Sequence, residues 1–128
     1  MRRVLLDTNC LVYAVQHKLD LVDSISEKFA GSSVSIEVPT GVMSELGKLA
    51  SSKGKDAQNS SVALAMLKKQ VSEGKVKQVP SEGVVDAWLV KQARESKDIT
   101  VCTYDARLKE CLKKLGAQIL SPRGRKRF

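Results

Sequence analysis

Short strand-like runs alternate with stretches of helical periodicity along this 128-residue chain, and no other feature constrains its fold as much. Residues 3–6, Arg-Val-Leu-Leu, read as a short buried strand ending at Asp7; residues 35–38 alternate and stop at Pro39; residues 76–79 stop at Pro80. Residues 99–103 and 117–120 make two more such runs. Between them apolar residues recur at three- and four-residue steps. Residues 9–17 carry Leu11, Val12 and Val15; residues 21–29 carry Leu21, Val22, Ile25 and Phe29. The segment behind Thr40 carries Val42, Met43, Leu46 and Leu49, with Thr40 expected as its cap. Residues 57–71 present Ala63, Met66, Leu67 and Val71, and residues 82–95 present Val85, Leu89 and Ala93. A last helix is expected over 107–115, closed by Gly116. This alternation predicts an α/β fold: one three-layer α/β/α domain around a small central parallel sheet of four or five strands. The domain is expected to span residues 1–121, with 122–128 as a basic tail.

The balance of 22 basic and 14 acidic residues leaves a net charge of +8, which draws a protein to polyanions, nucleic acid foremost. The surplus is concentrated from residue 113 onward, where Lys113, Lys114, Arg123, Arg125, Lys126 and Arg127 meet no acid. Apolar runs are far too short for a membrane span, and the opening one meets Asp7 too early for a signal peptide, so a cytoplasmic protein with no membrane partner is expected. Cys10, Cys102 and Cys111 show no metal-binding spacing and are expected as buried or half-buried thiols. The lone His17 excludes a histidine-rich metal site. Five aromatics are too few for a base-stacking platform; Trp88 is expected in the core, and Tyr104 is the aromatic expected to touch a ligand.

In an open parallel sheet, ligands bind beyond the carboxyl ends of the strands. Four acids fall there: Asp7 after the first run, Glu45 in the helix leaving the second, Asp86 in the helix after the third, and Asp105 two residues after the fourth. Two carboxylates about 5 Å apart repel by ~3 kcal/mol at an effective dielectric near 20. A small domain, stable by roughly 5–15 kcal/mol, carries such a cluster only around a cation or partly protonated. Ligands that are all oxygen point to Mg²⁺ or Mn²⁺, and a hard cation on a basic protein points to phosphodiester chemistry. Each acid alone also has a plainer role, since a carboxylate early in a helix favours the helix dipole.

The same residues resemble a known family. The run Val4-Leu5-Leu6-Asp7-Thr8-Asn9 resembles the opening motif of PIN domains. Residues 38–46 resemble their second block, in which a helix after a proline carries the glutamate; residues 85–89 and 101–108 resemble the third and fourth. The likeness covers residues 3–121 and is greatest to archaeal relatives of the Fcf1/Utp24-type rRNA-processing nucleases, with VapC toxins next. It implies a metal-dependent endoribonuclease in which Asp7 ligates the metal and Glu45, Asp86 and Asp105 complete the site. Thr8 and Asn9 would support Asp7, and Thr103 would border it. RNA, such as an rRNA precursor, would be held by Lys53, Lys55, Tyr104, Arg107, Arg123, Arg125, Lys126 and Arg127. A homodimer is one implied assembly, and an antitoxin is the partner if the chain is a VapC-type toxin. The chain departs from the pattern at Val85, where paired acids are usual, and at Tyr104 and Arg107. These departures keep a second reading open, a non-catalytic RNA-binding or ribosome-assembly module on the same fold.

Overall fold

A computed structural model describes residues 1–121 of the chain. Five strands, β1 (Arg2–Leu6), β2 (Val34–Pro39), β3 (Lys77–Val79), β4 (Ile99–Cys102) and β5 (Gln118–Leu120), form one sheet in the order β3-β2-β1-β4-β5. Every pairing is parallel, and Val4 at the centre of β1 faces Ile36 on one side and Thr100 on the other. Six helices make the connections: α1 (Thr8–Gln16), α2 (Leu21–Lys28), α3 (Thr40–Ala50), α4 (Ala57–Ser72), α5 (Val85–Glu95) and α6 (Ala106–Lys114). The helices α1, α3 and α4 pack on one another, whereas α5 packs on α6. These are the two layers that right-handed crossovers lay on opposite faces of a doubly wound sheet.

Val4, Leu5 and Leu6 of β1 are fully buried, as are all four residues of β4, because strands covered on both faces read as continuous apolar runs. The chain leaves β1 for β2 and β3, then returns to place β4 on the other side of β1. Strand order therefore reverses between β1 and β4, which opens a crevice at their carboxyl ends.

Several expectations need correction. Thr40 is not the cap of α3 but its first residue, following Pro39, and its hydroxyl instead accepts the Ser81 N–H at 3.0 Å. The helix expected from residue 82 begins at Val85, because Gly83 adopts a left-handed φ of 70° that interrupts any earlier turn. Leu49 and Met66 lie on the expected helix faces yet are exposed, being at the margins of their stripes. Trp88 is half-buried against the core. Cys10 and Cys102, both fully buried, are joined as a disulfide between α1 and β4, and Cys111 is exposed rather than sheltered. Among the described residues, no helix is long and apolar enough to cross a membrane.

Candidate active site

Beyond the carboxyl ends of β1 and β4 lies a cavity of about 520 Å³, and Asp7, Glu45, Asp86 and Asp105 all line it. Each arrives by a different route. Asp7 directly follows β1 and caps α1, its Oδ1 accepting the Thr8 N–H at 2.8 Å. Glu45 projects from the second turn of α3, and Asp86 from the first turn of α5. Asp105 caps α6, where its Oδ1 accepts the Leu108 N–H at 2.8 Å.

Hydroxyls and one amide tie the acids together. Thr103 donates to Asp7 Oδ2 at 2.7 Å while its oxygen accepts the Asp105 N–H at 3.1 Å, so one side chain links two of the acids. Thr103 is itself held from the residue that follows β5, since Ser121 donates to its carbonyl at 2.7 Å. Thr8 donates to Glu45 Oε2 at 2.5 Å. Asn9 Oδ1 accepts the Tyr104 N–H at 3.0 Å, which joins the start of α1 to the turn after β4. The three expected supporting residues thus all touch the cluster or its frame.

Asp7 is almost wholly buried, with 4% of its surface exposed. Desolvation pushes its carboxyl up from 3.8 to about 6, aided by the nearby charges of Asp86 and Glu45; hydrogen bonds from Thr103 and Thr8 hold it lower than burial alone would. The Asp86 carboxyl is also raised, first by partial desolvation and then by Asp105 and Glu45. The four acids therefore feel one another across the cavity. Among the described residues, no three His, Cys, Asp or Glu side chains converge tightly enough to cage an ion by themselves.

Other features escaped the sequence reading. Asp56 also lines the cavity, and its side chain caps no amide of α4. Because it follows a helix and a loop rather than a strand, reasoning from strand ends could not find it. Tyr13 forms part of the same wall, its ring 4.4 Å from that of Tyr104, and Lys109 stands over the Tyr104 ring at 5.5 Å. A joint between α3 and the loop before α5 was equally hidden: Ser81 Oγ accepts the Gly41 N–H at 2.9 Å, opposite the Ser81 bond to Thr40. Val85 is buried beside it, and a Cβ on Gly41 would meet Val85 Cγ2 at 2.8 Å. Lys53 and Lys55 sit on the exposed loop that leads to Asp56, and Arg107 is exposed at the start of α6. The expected contacts at Arg123, Arg125, Lys126 and Arg127 lie outside the described residues.

A doubly wound sheet with a carboxylate-lined crevice at its switch point defines a class of small α/β domains whose chemistry sits at that edge. The model of the family described as PIN like domain matches residues 4–125, and the chain belongs to that family. Among solved structures it is similar to the PIN domain endonuclease Utp24, with a TM-score of 0.77 and 24% identity over 97% of this chain and 87% of that one. A domain of a functionally unknown protein from Methanocaldococcus jannaschii superposes with a TM-score of 0.66 and 20% identity, over 100% of this chain and 96% of the other. VapBC2 from Rickettsia felis, solved bound to a DNA fragment from its promoter, gives a TM-score of 0.56 at 16% identity, over 93% and 98%. At these identities the likeness is one of fold. No curated protein is significantly similar to the chain.

Proposed function

We propose that this chain is a divalent-metal-dependent endoribonuclease with Asp7, Glu45, Asp86 and Asp105 as its acidic centre. One observation carries the reading: four crossovers deliver four carboxylates to a single cavity, and the most buried of them is pushed up to about 6 by desolvation and its neighbours. A cluster under that stress gains most from a cation. The donors fit Mg²⁺ or Mn²⁺, since all are hard oxygens and neither histidine nor cysteine lines the cavity. Mg²⁺ keeps several waters and takes only one or two carboxylates directly, so it does not require three converging side chains, which are not found among the described residues. Asp7 is the residue proposed to hold the ion, with Glu45, Asp86 and Asp105 reaching it directly or through water.

When bound, the ion supplies Lewis-acid chemistry, neutralising charge on the scissile phosphate and acidifying a water for attack. The chain's own residues set the stage for it. Thr103 keeps Asp7 ionised nearer neutrality than burial alone allows, and Thr8 fixes the rotamer of Glu45. Tyr13 and Tyr104 wall one side of the cavity beside Lys109. The net charge of +8 supports RNA as substrate, with an rRNA precursor the candidate that the sequence resemblance implies.

The test is cleavage of a single-stranded RNA with Mn²⁺ by wild type and by Asp7→Asn. Wild type is expected to cut, and the variant to lose more than the roughly 10–100-fold that removal of an outer-shell partner costs. Equal cutting by both, or none by wild type, contradicts the reading. A second reading, RNA binding without catalysis, is favoured by Val85, which is core rather than acidic. It predicts salt-sensitive RNA binding with no metal-dependent turnover.

A further inference from the structure

We infer that the groove between α5 and α6 is a phosphate subsite for the RNA strand as it leaves the acid cavity, with Arg94 and Arg107 as its anion-binding residues. This rests on the RNA reading above and extends it to a path along the surface. Asp86 lines the acid cavity and also a second cavity of about 400 Å³, so the two are contiguous across that residue. The second cavity is walled by Arg94 from α5 and Arg107 from α6, over an apolar floor that includes Val90 and Leu108.

Asp86, Val90 and Arg94 recur at four-residue steps and so share a face of α5. At 1.5 Å of rise per residue, Arg94 stands about 12 Å along the helix from Asp86. The groove thus begins at a carboxylate that belongs to the acidic centre, with Arg107 of the first turn of α6 on one wall and Arg94 of the last turn of α5 on the other. Among the described residues, Asp86 is its one acidic lining residue. Arg94 and Arg107 are both exposed, and among the described residues neither is in an ion pair. Neither lines the acid cavity, so the phosphate they would hold is not the one being cut but a neighbour on the same strand. Guanidiniums suit this role, being planar, always charged, and able to grip a phosphodiester with two parallel N–H bonds. On the floor, exposed Ala87 and half-buried Val90 offer the sugar and base an apolar surface without specifying a sequence.

The experiment measures binding of a single-stranded RNA by fluorescence anisotropy in EDTA, across about 50–200 mM KCl, so that no turnover is required. Each phosphate contact on a single strand contributes about 0.7 to the slope of log affinity against log salt. Arg94→Ala and Arg107→Ala are each expected to lower the slope by about that amount, and the double variant by about twice as much. Lys28→Ala, at the end of α2 near the amino edge of the sheet, serves as the control and is expected to leave the slope unaltered. An unaltered slope in the double variant overturns the inference. So does an equal loss in Lys28→Ala, which would mean diffuse attraction, or a failure of wild type to bind at all. Protein that binds through both arginines but never cuts RNA keeps the subsite and sinks the nuclease reading; protein that cuts with unaltered slopes does the reverse.

Discussion

Asp7 gathers most of the stress in the site, because burial favours its neutral carboxyl. Burial pushes its carboxyl up from 3.8 to about 6, so between those values the folded chain binds a proton that the unfolded chain does not. Stability of the metal-free protein therefore falls as pH rises through that window, and the cost is fully present above it. Each pH unit between the two values is worth about 1.4 kcal/mol, which makes the cost about 3 kcal/mol. Asp7→Asn removes the charge while keeping an oxygen for the Thr8 N–H. The Thr103 hydroxyl can then turn to accept from the new amide and donate towards Asn9 Oδ1, 3.5 Å away. The variant should thus be more stable than wild type at pH 8 and equal to it near pH 4, as read from urea midpoints without metal; a less stable variant at pH 8 contradicts this. Thr103→Val removes a hydrogen bond that favours the ionised form, so the Asp7 carboxyl should titrate above about 6, visible by carbon NMR of the side chain. The acidic limb of metal binding should move to higher pH with it. An unmoved titration would show that Thr103 does not govern Asp7.

Among the elements, the joint between α3 and α5 sets how Glu45 and Asp86 face each other. Ser81→Ala leaves the Gly41 N–H without its partner and should cost about 0.5–2 kcal/mol, like a lost helix cap. Gly41→Ala drives a methyl to within 2.8 Å of Val85 Cγ2 and 3.0 Å of Ser81 Oγ, which should cost about 1–3 kcal/mol and displace the adjoining Asp86. Gly41→Ala should cost less in a Val85→Ala background than in wild type, and an equal cost in both backgrounds would refute the contact. The elements themselves were legible because apolar runs of strand length separate stretches of helical period, and acids such as Asp7 and Asp105 sit where those runs stop. Two things were not: Asp56 reaches the cavity from a helix–helix loop, and the bonds of Ser81 to Thr40 and Gly41 bridge about 40 residues of sequence, whereas the buried place of Val85 was legible from its apolar stripe. Periodicity marked which helix face turns inward but not how far burial extends, so Leu49 and Met66 were placed too deep.

At the scale of the molecule, a chain of net charge +8 concentrates five carboxylates, including Asp56, around one cavity that no lysine or arginine among the described residues lines. That contrast suits a polyanion held around a cation. The disulfide between Cys10 and Cys102 ties α1 to β4, the two segments that frame Asp7 and Thr103, across 92 positions of sequence. Cross-linking a loop of that size lowers the entropy of the unfolded chain by an amount worth about 4–5 kcal/mol. Reduction should therefore lower the urea midpoint, and an unmoved midpoint would mean that the cross-link contributes little. The central claim is that the acid cavity holds a hard divalent cation. Anomalous diffraction from crystals soaked in Mn²⁺ tests this most directly. A peak is expected inside the cavity, bonded to the Asp7 carboxylate and absent from Asp7→Asn crystals. A cavity without a peak at saturating Mn²⁺, or one whose peak persists unchanged in the variant, would contradict it.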